Sequence, residues 1–303
     1  MPSLKEIKGR IGSVKSTLKI TSAMKLVASA KLRKAQQTIE GMRPYERKLQ
    51  EMMARLMAQG GAAAAVSGAF ARKGSRSDAE ETEAAAPQKI ALVAFASNSS
   101  LCGAFNANAV RLALETIHSY GDADVTVYSV GRKMAESMRK VGKPSPEDYQ
   151  ALADKPSYAP AAELAGSLMD AFLEGRLDRV DLVYNHFVSS GKQVAVRETL
   201  LPMGNVIPSG AESVAKESET DYILEPSAAE LLEELLPKSL RLKFYTALLD
   251  SNASEHAART VAMQTATDNG EDLLQELTLQ YNKGRQQKIT SEILDLAGGS
   301  QDN

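Results

Sequence analysis

The chain has 303 residues, 43% hydrophobic and 24% charged, the composition of an ordinary globular fold, with only 5% aromatics and no Trp, so its core is built of Leu, Ile, Val, Ala and Met. One cysteine, Cys102, excludes a disulfide framework and a cysteine zinc site, and three scattered histidines (His118, His186, His256) leave little material for imidazole chemistry. A net charge of −2 conceals an asymmetry: residues 1–58 carry 13 Lys and Arg against four acids, +9, and the rest carries 23 against 34, −11. No run approaches the roughly 20 apolar residues that span a bilayer. The opening MPSLKEIKGR lacks the apolar core of a signal peptide, which leads us to expect an intracellular, bacterial chain.

The first element is predicted as one helix over residues 3–57. Positions spaced alternately by three and four from Leu4 are Ile7, Ile11, Val14, Leu18, Thr21, Lys25, Ala28, Leu32, Ala35, Ile39, Met42, Glu46, Leu49, Met53 and Leu56. A hydrophobic repeat of 3.5 residues sustained this long is a coiled-coil seam, interrupted here by Lys25, Glu46 and the mildly polar Thr21. Ser3 is the expected N-cap, and Pro44 is expected to bend the helix locally. Between Glu6 and Glu40 lie eight bases and no acid. Such a face serves solubility, a nucleic-acid backbone or an acidic protein surface; the seam running through the whole basic stretch favours the protein partner.

Residues 59–87 are small and polar and read as a flexible insertion or linker. Strands follow at Ile90–Ala96, Val125–Val130, Val180–Val188, Val194–Leu200 and Tyr222–Leu224, with helices at 104–119, 132–141 and 160–175. Alternating strands and helices predict a parallel sheet, the third and fourth strands closing it as a hairpin. Residues 88–225 are thus expected to form a Rossmann-like α/β domain inserted between two terminal helices. Residues 226–303 hold a short helix from Pro226, then a long one over 238–297 that stops at Gly298 and Gly299. Its apolar positions are expected at Leu248, Leu249, Val261, Ala262, Ala266, Leu273, Leu274, Leu277, Ile289, Ile293 and Leu296. Gly270 and Gly284 are expected where a backbone or a tight sleeve comes close. The terminal stripes have no obvious partner but each other.

Catalytic and cofactor chemistry is missing. After the first strand, Ser97–Asn106 reads SNSSLCGAFN, with neither G-x-G-x-x-G nor G-x-x-x-x-G-K-[ST]. Gly131-Arg132-Lys133 after the second strand is a weak phosphate candidate, and Cys102 reads as a small hydrophobe at a turn. No metal-spaced cluster or nucleophile elbow occurs. The α/β alternation alone still admits a dinucleotide-binding enzyme, and the basic helix a nucleic-acid-binding coiled coil.

Three stretches then become recognisable. Ile11–Gln36 (IGSVKSTLKITSAMKLVASAKLRKAQ) resembles the N-terminal helix of the γ subunits of F-type ATP synthase. Ser254–Asn269 (SEHAARTVAMQTATDN) and Tyr281–Ile293 (YNKGRQQKITSEI) resemble their C-terminal helix, and Leu101–Asn106 (LCGAFN) their α/β-domain turn. The resemblance covers the chain in order, apart from 62–87. It implies a non-catalytic rotor without a cofactor: an antiparallel coiled coil of the terminal helices inside a ring of α and β subunits. The α/β domain would sit below, against the ε subunit and the c-ring, peripheral to the cytoplasmic face of the inner membrane. By resemblance, Arg259, Gln286 and Thr290 match a polar catch with β, Met24 and Lys25 a coupling-sensitive stretch, and Glu225 a c-ring contact. Ile7, Ile11, Val14, Leu18, Ala28, Leu32 and Gly270 would pack the shaft. The chain departs from the family at Leu224, often Tyr, and at Asn98-Ser99-Ser100, usually an Asp and a Gly.

Overall fold

Ser3 opens the first helix: its hydroxyl accepts the Glu6 amide at 3.3 Å, occupying one of the donors that a helix start leaves unpaired. In the computed structural model, which describes residues 3–58, 70, 88–203 and 227–298, that helix, α1, runs Leu4–Ala58 and continues through Pro44. Every seam position from Leu4 to Leu56 is buried or half-buried, the polar ones included. Of the eight bases between Glu6 and Glu40, all but Lys25 are exposed.

The remaining elements are β1 (Lys89–Phe95), α2 (Phe105–Ser119), β2 (Asp124–Val130), α3 (Arg132–Lys140), α4 (Gln150–Asp154), α5 (Tyr158–Leu173), β3 (Arg179–Ser189), β4 (Lys192–Leu201) and α6 (Ala228–Gly298). The two helices expected in the C-terminal segment are one, 71 residues long, with Pro237 inside it. Proline removes one N–H from the ladder. Leu236 and Leu240 on either side are buried in the core and hold the helix through the gap. The short α4 carries too few residues to show a helical period. The expected strand Tyr222–Leu224, Glu225 and most of the 62–87 insertion lie outside the described residues. Phe70, described within that insertion, is buried in the core, and its carbonyl accepts the Met203 amide at 2.9 Å.

The chain divides into two compact units, Met1–Ala30 with Arg259–Asn303, and Lys31–Ala258. The second holds the sheet, ordered β2-β1-β3-β4, with β1 parallel to β2 and β3, and β4 antiparallel to β3. β1 is buried on both faces after its first residue, as a central parallel strand must be. Ile90, Leu92 and Ala94 pack with Ala109 and Ala113 of α2 and Met134 and Met138 of α3. Ala91, Val93 and Phe95 face Leu164 and Leu168 of α5 and Phe244 and Leu248 of α6, with Leu49, Met53 and Leu56 of α1 in the same cluster. Within this unit the terminal helices therefore spend their apolar stripes on the sheet, and the expectation that they pack only on each other is corrected. At Leu32 and Ala35 they do meet, against Ala253 and Ala257.

Polar contacts tie sheet to helix. Asp250 of α6 accepts the Phe187 amide at 2.9 Å and His186 Nδ1 at 2.5 Å, Lys243 pairs with Glu198 at 2.8 Å, and Asn252 donates to the Ala153 carbonyl at 3.2 Å. Burial pushes the Asp250 carboxyl up, against the lowering pull of His186. At the opposite sheet face Asp181, fully buried, accepts Arg179 Nε at 2.9 Å, Arg197 Nε at 2.8 Å and the Tyr120 hydroxyl. Burial and that carboxylate push the Tyr120 phenol up to about 12. A buried charge is tolerated when paired on every side.

Candidate functional site

In an open α/β sheet a nucleotide lies at the carboxyl ends of the strands, where the strand order reverses. Here that place, between β1 and β3, is filled by the chain itself. Ser97 donates its amide to Asn106 Oδ1 at 3.0 Å, Asn185 donates to the Phe105 carbonyl at 3.1 Å, and Cys102 and Phe105 pack against Ala258 of α6. The phosphate candidate closes in the same way. The Arg132 amide donates to Asn98 Oδ1 at 2.9 Å and the Lys133 amide to the Ser97 carbonyl at 3.1 Å, so the start of α3 has already spent the donors a phosphate would need. Gly131 makes this turn possible: its φ is +102°, and a Cβ there would stand 2.1 Å from the Ala96 carbonyl oxygen. Among the described residues no group of three or more His, Cys, Asp or Glu side chains is placed to hold a metal ion.

The first unit is the alternative site. Leu4 meets Gly284, Leu18 meets Gly270, the Thr21 and Thr267 hydroxyls are 3.0 Å apart, and Lys25 Nζ donates to Gln264 Oε1 at 2.6 Å. As the number rises along α1 it falls equally along α6, so the two helices are antiparallel in one register. The inner face of α6 is Met263, Thr267, Gly270, Leu274, Leu277, Tyr281 and Gly284, all buried or half-buried and spaced by fours and threes. This corrects the expected stripe. Val261, Ala266, Leu273, Ile289 and Ile293 are exposed, because two glycines and a threonine, which a count of apolar residues overlooks, occupy the seam. The glycines are corrected too: each admits a leucine side chain of α1. A Cβ on Gly270 would stand 2.7 Å from Leu18 Cδ2, and one on Gly284 3.1 Å from Leu4 Cδ2.

The outer surface of this pair is unusual for a free helix. Ile20, Leu26, Val27, Leu279, Ile293 and Leu294 are each more than half exposed, with Leu26 at 68% and Leu279 at 70%. Interspersed are the exposed Lys5, Lys8, Arg10, Lys15 and Lys19. Scattered single apolar residues need no explanation, but this many on two paired helices suit a shaft enclosed by partners.

The residues singled out from sequence are distributed as follows. Ile7 and Ala28 are buried in the first unit and Ile11, Val14 and Leu18 half-buried; Leu32 is buried in the second. Met24 and Lys25 are half-buried. Arg259 is 8% exposed and makes polar contacts within the chain. Gln286 and Thr290 are exposed one turn apart, the Thr290 hydroxyl donating to the Gln286 carbonyl at 3.0 Å. The pairing of Lys25 with Gln264 and of Thr21 with Thr267 was missed from sequence; the signal for it was the polar interruption of the seam at 21 and 25.

Comparison with known proteins agrees with this geometry. A family profile described as ATP synthase matches residues 3–301. The chain is 52% identical over 303 residues to the ATP synthase gamma chain of Phocaeicola vulgatus, covering 99% of both, and 50% identical to that of Bacteroides fragilis, again over 99% of each. The fold is similar to a chain of the Euglena gracilis mitochondrial ATP synthase OSCP/F1/c-ring structure, with a TM-score of 0.63, 19% identity, and 98% of this chain and 93% of that one covered.

Proposed function

The chain belongs to the gamma-chain family of ATP synthase, and from that premise we propose how its surface divides among partners. It is a rotor subunit of the central stalk of F-type ATP synthase, itself non-catalytic, associated with F1 and the c-ring and peripheral to the membrane. Among its described residues no helix is long and apolar enough to cross a bilayer.

The α and β subunits enclose the paired helices, the ε subunit and the c-ring meet the α/β domain, and the assembly stands at the cytoplasmic face of a bacterial inner membrane. The observation that supports this most is the combination of a continuously packed seam with an exposed outer surface both apolar and basic. The seam transmits torque. The basic residues attract acidic levers on β without a fixed lock, since exposed charges interact weakly and over distance. A single chain folded back as a helix pair has no threefold symmetry, so at each angle it presents different contacts to each β subunit. A conformational equilibrium shifts only by such differences in contact energy.

Gln286 and Thr290 form the catch with β from the exposed face of α6, and Met24 and Lys25 on α1 are the coupling-sensitive stretch beside the shaft's own pairing. Arg259, buried, acts by holding the shaft where the catch needs it. Glu225 serves the c-ring contact. The expected division into 1–58, 59–87, 88–225 and 226–303 follows shaft, linker, foot and shaft only in outline, since Leu49, Met53, Leu56, Phe70 and the start of α6 pack on the sheet of the foot. A cysteine at Gln286 oxidised onto a cysteine in the facing β loop tests the catch. Turnover of the assembled complex is expected to stop on oxidation and return on reduction, and full turnover while tethered overturns it.

A further inference from the structure

We propose that Thr21, Lys25, Gln264, Thr267 and Asp268 form a polar layer that locks the axial register of the two helices, and that these are positioning residues for coupling. This rests on the rotor reading above.

The layer interrupts a seam that is otherwise apolar. Thr21 and Thr267 are each 8% exposed. The Thr267 hydroxyl lies 3.0 Å from that of Thr21 and 2.8 Å from the Met263 carbonyl, which share its one proton, and the Thr21 hydroxyl donates to the Leu18 carbonyl at 3.1 Å. One turn along, Lys25 Nζ donates to Gln264 Oε1 at 2.6 Å, and Gln264 Nε2 donates to Asp268 Oδ1 at 2.6 Å. Each side chain is thus joined across the pair or to the group that is. An apolar repeat has a weakness here: sliding by one heptad, about 10 Å of helix, restores apolar against apolar. A polar contact across the pair opposes that freedom, because a slipped register loses the Thr21–Thr267 and Lys25–Gln264 bonds and sets hydrocarbon against two buried hydroxyls that keep only the carbonyls of their own helices.

The slips can be followed residue by residue. Sliding one way sets Leu18 against Leu277 and Thr21 against Leu274, with the Thr21 hydroxyl facing a hydrocarbon. Sliding the other way sets Leu18 against Met263 and Leu4 against Leu277, so that both glycine holes are lost, and Gln264 moves seven residues from Lys25. The two holes resist a slip by shape; the layer resists it by direction. For a shaft that carries torque, a slip is lost rotation. The ammonium of Lys25 is engaged with its own chain, so its part in coupling runs through the partner helix.

The test uses the full chain in the assembled complex. Thr21→Val, Thr267→Val and Gln264→Leu together keep the shapes and remove the bonds, and the more apolar seam keeps the helices paired. Register is read by disulfide formation in two cysteine pairs, Val14→Cys with Leu274→Cys for the native register and Val14→Cys with Tyr281→Cys for a one-heptad slip. Cys102 is buried and does not compete. We expect the slipped cross-link to rise about tenfold or more relative to the native one, and protons pumped per ATP to fall while hydrolysis continues. Thr21→Ser with Thr267→Ser, which keeps both hydroxyls, retains the parent values. A slipped cross-link no more frequent than in the parent overturns the lock. A slipped cross-link with unchanged pumping overturns its part in coupling. Failure of the unsubstituted chain to join its ring overturns the rotor reading instead, and the cross-links of the free chain still decide the lock.

Discussion

Replacing Gly270 with leucine drives a four-carbon side chain into space that Leu18 fills, since even a single Cβ there stands 2.7 Å from Leu18 Cδ2 and 3.3 Å from its Cγ. Two terms oppose. Leucine is a better helix former than glycine by about 1 kcal/mol. Over-packing a seam costs about 1–3 kcal/mol, and the end of Leu18 can yield, which keeps the cost from climbing further. The net is about 1 kcal/mol destabilising. Leu18→Ala alone opens a hole at a half-buried position, below the 2–5 kcal/mol of a fully buried leucine, or about 1–2 kcal/mol. The double variant exchanges knob and hole and should lose less than either sum suggests, a coupling of about 1–2 kcal/mol. Amide hydrogen exchange along residues 263–284 reads the helix pair by itself, apart from the sheet. Gly270→Leu should lower protection there about fivefold to tenfold, and adding Leu18→Ala should restore most of it. Protection unchanged in Gly270→Leu, or a loss that Leu18→Ala deepens, would refute the packing described for this site.

Gly131→Ala should prevent the turn between β2 and α3, because the new Cβ meets the Ala96 carbonyl oxygen at 2.1 Å and φ is +102°; a loss of at least about 2–3 kcal/mol by denaturant titration is expected, and a stable variant contradicts the geometry. Phe70→Ala should cost about 3 kcal/mol by the same titration, since the ring is buried in the core; a change within ±0.5 kcal/mol would return Phe70 to the linker. Glu46 is raised above 4.5, first by burial and then by Glu198, against the pull of Arg43. A raised carboxyl binds its proton more tightly folded than unfolded, so stability falls as pH climbs from about 4.5 through the folded value. Glu46→Gln should therefore flatten stability against pH in that window, and an unchanged slope counts against it.

Much of this molecule is legible in its sequence, and the reasons differ by element. The α1 seam reads correctly because the heptad persists through sixteen positions, long enough to outweigh Thr21, Lys25 and Glu46. The four strands among the described residues read correctly because β1 is a short unbroken run of apolar residues and β3 and β4 flank a Ser-Ser-Gly turn. The α6 seam does not, because its inner positions include Thr267, Gly270 and Gly284, and what qualifies them is the leucine or threonine opposite, which only pairing reveals. Phe70 is hidden for a related cause: one aromatic in an alanine-rich stretch has no period. The polar layer was visible as two exceptions in the α1 repeat, and its meaning depended on which residues of α6 stood across from it. The catch with β proposed at Gln286 and Thr290 was not carried by spacing at all, since both look like any exposed polar helix surface.

Assembly tests the central claim most directly. The chain is expressed with the α and β subunits of its own organism, and the product is weighed intact by native mass spectrometry. One copy of this chain with three of each partner is the expected mass, with both terminal helices protected from exchange along residues 4–30 and 259–294. A ring of α and β that forms without it, while the chain remains alone in solution, would contradict the rotor account.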